Sequence, residues 1–250
     1  MLGIARYGRR PAHDMSPGGD FDLFVLVKEC PEDVESLHFY LGGVPVDLNI
    51  RTIEHLRRSE PITEFDVVLT NAEILYDETG ALQKELPALE KRWGQGPAEL
   101  TDHDAQFNRF CQRHVLDKVR GRIEKEPLLC HFLLATNIYW LVQTYFRIRS
   151  LPFRGETDAL KWLEANEPEI FRGIEQFYAA GALEEKLEIT ERLIELVLAP
   201  VGGSWGRGEL VVLGTHSRAE GLDKKGRKLW QELFGAPFRD GPVEAEEPGR

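Results

Sequence analysis

The sequence predicts an α+β protein: a mixed sheet with flanking helices at the N-terminus, followed by a C-terminal helical bundle. Three observations carry this reading. Short runs of β-branched and aromatic residues, bounded by glycine and proline, crowd the first 80 or so residues. A Gly42-Gly43 pair joins two of those runs, the mark of a tight hairpin. From Leu82 onward, apolar residues recur at helical spacing. The expected divisions are 1–95 for the sheet domain, 98–238 for the helical domain, and 239–250 for a polar, acidic tail expected to be disordered.

Taken in order, Asp20 to Val27 (DFDLFVLV) reads as a strand launched from the Pro17-Gly18-Gly19 turn. Ser36 to Leu41 and Val44 to Arg51 form the hairpin arms. The second arm alternates, with Val44, Val46, Leu48 and Ile50 on one face and Asp47, Asn49 and Arg51 on the other. Pro45 has no N–H for a ladder, which places an edge or a bulge there. A short helix is expected over Thr52 to Arg58 and a strand over Ala72 to Tyr76. Helices follow at Ala81–Trp93, from an N-cap at Thr101 through Glu124, and at Pro127–Arg149, Thr157–Ala165, Pro168–Ala180 and Leu183–Leu198.

Composition excludes several classes. No apolar run is long enough to span a bilayer, and no export signal is evident at the N-terminus. Cys30, Cys111 and Cys130 are odd in number and irregular in spacing, which fits neither a metal knuckle nor a disulfide framework. The expected compartment is therefore the reducing cytoplasm. A net charge of −11 argues against binding extended nucleic acid. Thr101 to Ser150 runs the other way, with eight Lys/Arg against five Asp/Glu, and suits a small polyanion.

The strongest chemical feature is a set of carboxylates. Asp20 and Asp22 are two residues apart on a strand and leave it on the same face, with Phe21, Leu23 and Val25 expected to pack the other side. Two carboxylates so close repel unless a cation lies between them. Asp47, on the polar face of a later strand, joins them if the two strands pair. Three converging carboxylates suit divalent metal, here Mg2+, held against a triphosphate.

The stretch Tyr7 to Val27, with Asp47 in VPVDLNI, resembles the core of the polymerase-beta-like nucleotidyltransferase superfamily. That family has a Gly-Ser turn, about ten residues, Asp-x-Asp on a strand, and a third Asp on a later strand. Here Gly8-Arg9 precedes ten residues and then Asp20. The segment Ile74 to Leu82 (ILYDETGAL) resembles the one that closes the catalytic domain of antibiotic nucleotidyltransferases, of the aminoglycoside and lincosamide type, whose helical half binds substrate. The resemblance implies catalytic and metal-binding roles for Asp20, Asp22 and Asp47. It implies phosphate contacts for Gly8, Arg9 and Lys118. Arg9 stands where the family has serine, and Arg9 and Arg10 suit direct contact with phosphate oxygens. The implied reaction moves a nucleoside monophosphate from a nucleoside triphosphate to a hydroxyl acceptor, either a small molecule or a protein. A homodimer is compatible with it.

Other candidates are weaker. Asp102, Asp104, Glu124 and Asp47 itself are options for the general base. Arg109 and His114 match an Arg-x4-His spacing that resembles HEPN-class ribonucleases, so a ribonuclease or its antitoxin partner is one alternative. A catalytically impaired binding protein is another. Tyr139 and Tyr145 are candidates for an acceptor pocket. The loop Gly202 to Gly208 has the look of a phosphate turn, but no paired carboxylates follow it.

Overall fold

The structure, a computed structural model, describes residues 1–8, 10, 13, 19–30, 34–57, 69–93, 97, 100–206, 208–212 and 221–239. The chain is α+β and divides into two compact units, Met1–Ala98 and Glu99–Arg250. The tail expected to be disordered lies, from residue 240 onward, outside the described residues.

The first unit is built on a mixed five-stranded sheet of β1 (Gly3–Tyr7), β2 (Phe21–Val27), β3 (Ser36–Leu41), β4 (Val44–Thr52) and β5 (Glu73–Asp77). The strand order is β3-β4-β2-β1-β5. Among the described strands, β2 and β4 pair in parallel and the other neighbours are antiparallel. The Gly42-Gly43 turn forms as expected, with both glycines at positive φ and Leu41 opposite Val44. Pro45 lies just before the stretch of β4 that pairs with β2, which begins at Val46. Its missing N–H therefore interrupts no ladder bond to β2.

Among the described residues, this unit carries a short helix α1 (Ile53–Leu56) and a longer one, α2 (Ala81–Trp93). Helix α1 starts at a capping box. Thr52 Oγ1 accepts from the His55 backbone N–H at 3.4 Å, and the Thr52 N–H donates to His55 Nδ1 at 3.3 Å. Arg57 Nε donates to the buried Glu85 at 2.8 Å, which ties the end of α1 to α2. Leu56 of α1 and Leu82, Leu86 and Leu89 of α2 pack on Ala5, Tyr7, Phe24 and Leu26 of the sheet.

That core corrects one expectation. Phe24 and Leu26 are fully buried, whereas Phe21, Leu23 and Val25 are only half-buried. By the two-residue period, Phe24 and Leu26 share their face with Asp20 and Asp22. The carboxylates are the continuation of the core face past the point where the leucines of α1 and α2 cover it. They do not sit opposite the packed side.

The second unit holds α3 (Asp102–Arg120), α4 (Pro127–Ile148), α5 (Glu156–Asn166), α6 (Pro168–Ala179), α7 (Leu183–Leu198), a 3-10 turn at Ala199–Val201, and α8 (Leu222–Phe234). Thr101 caps α3 as expected, its hydroxyl accepting from the Asp104 N–H at 3.1 Å. The helix ends at Gly121, short of the expected Glu124. Helices α3 to α7 share one core that includes Leu116, Leu134, Tyr145, Leu163, Phe177, Leu193 and Ile194. Gly173 lets α6 and α7 approach closely, since a Cβ there would meet Leu193 Cδ2 at 2.6 Å. Among the described residues, no helix is long and apolar enough to cross a membrane.

Candidate metal centre

The site builds from strand register. Asp22 pairs with Asp47 across the parallel β2–β4 ladder, with Tyr7 on its other side in β1, and Asp47 pairs with His38 of β3. Directly paired residues share a face, so His38, Asp47, Asp22 and Tyr7 form one row across four strands. Asp20 adds a carboxylate one step beyond that row, just before β2 begins. One oxygen from each of Asp20, Asp22 and Asp47 lies within 4.8 Å of the others. Asp20 is exposed, and Asp22 and Asp47 are half-buried.

The electrostatics agree with this crowding. Burial pushes the Asp22 carboxyl up from 3.8 to about 6, helped by the charges of Asp20 and Asp47. Burial also pushes the Tyr7 phenol up to about 12, with Asp22 the next contributor. Asn49 lies on the carboxylate face of β4 and donates from Nδ2 to the Tyr7 hydroxyl at 2.5 Å. Three hard oxygen donors, one of them destabilised as an anion by its neighbours, fit a divalent cation of the Mg2+ or Mn2+ kind.

Gly8 follows β1 with φ +74°, and a Cβ at that position would fall onto the Asp22 carboxylate. Glycine is therefore needed twice over, for the turn and for the close approach to Asp22. Arg9 lies outside the described residues. Arg10 donates from Nη1 to the Gly19 carbonyl at 2.7 Å and lies over the Phe21 ring, 5.0 Å from its centroid, bracing the segment that leads into Asp20.

The row also contains residues the sequence reading passed over. Tyr7 was hidden because β1 itself was not recognised. His38 was legible: counting outward from the two-residue loop puts 41 opposite 44 and so 38 opposite 47. Its Nδ1 lies 2.7 Å from Asp47 Oδ1.

The remaining candidates lie in the helical unit. Lys118 is exposed on the last turn of α3. Arg109 is buried and points into the Gly202–Gly208 loop. It donates to the Gly203 carbonyl at 2.8 Å and pairs with Glu209 at 2.8 Å. That loop presents carbonyls to a cation, the reverse of a phosphate turn. His114 is exposed and stacked on Phe110, so Arg109 and His114 form no shared site. Asp104 pairs with Arg147 at 3.4 Å, while Asp102 and Glu124 are exposed. Tyr145 is buried and donates to Glu167 at 2.7 Å, and the exposed Tyr139 donates to Glu156 at 2.6 Å.

No family model matches the chain, and no curated protein matches it. Among solved structures, it is similar to the crystal structure of a nucleotidyltransferase-like protein from Exiguobacterium sibiricum 255-15. The identity is 14%, the match covers 79% of this chain and 68% of that one, and the TM-score is 0.43. At that distance the likeness carries no weight for the chemistry, which rests on the carboxylates themselves.

Proposed function

We propose that this protein is a metal-dependent nucleotidyltransferase that moves a nucleoside monophosphate from a nucleoside triphosphate to a hydroxyl acceptor. The observation that carries the proposal is the convergence of Asp20, Asp22 and Asp47, drawn from two parallel strands to within 4.8 Å. A bound divalent cation would offset phosphate charge and favour loss of the acceptor proton. Asp20, Asp22 and Asp47 would hold it. Gly8 lets the backbone pass beside Asp22. The acceptor hydroxyl gives up its proton to solvent, its oxygen bonds to the α-phosphorus, the bond from that phosphorus to the oxygen bridging the β-phosphate breaks, and pyrophosphate leaves.

An acceptor of the antibiotic type, or a protein hydroxyl, is the finer reading. The antibiotic reading rests on the resemblance of the ILYDETGAL segment, and of the helical half that follows it, to antibiotic nucleotidyltransferases.

The test is direct. The full chain is incubated with each of four labelled nucleoside triphosphates and Mg2+, and pyrophosphate release, nucleotide binding and self-labelling are followed. A variant carrying both Asp20→Asn and Asp22→Asn serves as control. Nucleotide and metal binding that depend on the aspartates support the proposal. Wild type that binds no more than the double variant overturns it.

A further inference from the structure

We infer that His38 is a positioning residue for Asp47, holding the third carboxylate of the metal centre in place through a Ser36–His38–Asp47 hydrogen-bonded chain. This rests on the proposed metal site and goes beyond it, since it concerns what orients a ligand.

The geometry is continuous. His38 Nδ1 lies 2.7 Å from Asp47 Oδ1, and His38 Nε2 lies 2.9 Å from Ser36 Oγ. Ser36 and His38 are two residues apart on β3 and share a face, the one that also carries Asp47 and Asn49. An ionised carboxylate can only accept, so the Nδ1–H donates to Asp47. In the neutral ring Nε2 is then the acceptor, and the Ser36 hydroxyl donates to it. Asp47 thus selects the Nδ1–H tautomer, and the Ser36 hydroxyl supports it by donating to Nε2.

The three carboxylates need this help unequally. Asp22 is flanked by Tyr7 and Asp47 on the neighbouring strands and closely approached by Gly8. Asp47 lies on β4 between Asp22 of β2 and His38 of β3, and its Oδ1 accepts from His38. Fixing its carboxylate before metal arrives removes a freedom that binding would otherwise have to quench. Hydrogen-bond partners behind metal ligands typically change affinity by about 10- to 100-fold.

The side chain of His38 is 61% exposed, so replacing it removes nothing from the core. The test uses the full chain without nucleotide, with Mn2+ as probe and free Mn2+ read by electron paramagnetic resonance. His38→Leu is expected to weaken Mn2+ binding by about tenfold. His38→Asn, whose amide nitrogen can take the place of Nδ1, is expected to stay within about threefold of wild type. Ser36→Ala is expected to fall between them. In the metal-free protein, the ring-nitrogen resonances of His38 should show the Nδ1–H tautomer, and Ser36→Ala should shift them. Leucine and asparagine variants with equal affinity, or a leucine variant that binds as tightly as wild type, overturn the inference while leaving the metal site standing. Wild type that binds no more Mn2+ than the doubly substituted Asp20/Asp22 variant overturns both.

Discussion

Asp22→Asn should make the metal-free protein more stable at neutral pH, although it removes a ligand from the proposed metal site. The folded Asp22 carboxyl is held up to about 6 by burial and by Asp20 and Asp47, against 3.8 ordinarily. Between those values the folded chain keeps a proton that the unfolded chain has released. Stability from this group is therefore fully present below about pH 4 and is lost as pH rises through about 6. A shift of about two units corresponds to at most about 2.7 kcal/mol. Solvent screening at this half-open site reduces that to about 1–1.5 kcal/mol. Asparagine carries no charge to repel, so the variant should gain that amount at pH 8 and nothing at pH 4. The assay is urea unfolding in EDTA across that range. Pulsed hydrogen exchange on β2 and β4 peptides reads the sheet unit apart from the helical one. Adding Mn2+ at about 100 times its dissociation constant should reverse the order, stabilising wild type by about 2.7 kcal/mol and the variant by much less. A variant no more stable than wild type at pH 8, or a difference that does not close on acidification, refutes the reasoning.

Other substitutions have definite expectations. Gly8→Ala adds a methyl onto the Asp22 carboxylate at a left-handed backbone position; it should cost about 1–3 kcal/mol in urea unfolding and weaken Mn2+ binding as well. Arg109→Ala leaves the Gly203 carbonyl and Glu209 without their cation, and should lower stability by about 2 kcal/mol in calorimetry while leaving Mn2+ affinity unchanged. Gly173→Ala drives a methyl against Leu193 and should cost about 1–3 kcal/mol, read in the helical unit's unfolding transition.

What was legible in the sequence followed from local rules. The hairpin could be read because Gly42-Gly43 meets the backbone demand of a two-residue turn, and the helices because their apolar faces repeat. The Asp-x-Asp pair was visible from the strand period alone. What escaped was non-local. Strand β1 is five residues long and carries Arg6, and its identity comes from pairing with β2 and β5 on either side. Without β1, Tyr7 could not be placed beside Asp22. The core face of β2 was misassigned for a related reason. Phe24 and Leu26 alternate with Phe21, Leu23 and Val25, and both sets are apolar, so the choice between them lies with leucines from α1 and α2, 30 or more residues away. Helix α8 has no buried residue among those described, with Leu229, Leu233 and Phe234 exposed, so no packed face marks it in the sequence.

The parallel pairing of β2 with β4 has an evolutionary corollary. Asp22 and Asp47 meet only in one register, and a slip of a single residue would send Asp47 to the opposite side of the sheet. Insertions and deletions between these strands are thus sorted by parity and place. Length changes absorbed between Val27 and Ser36 leave the centre whole, whereas an odd change within β4 ahead of Asp47 abolishes it outright. Descendants of this chain should vary freely in that connection and hardly at all in the four residues from Val44 to Asp47.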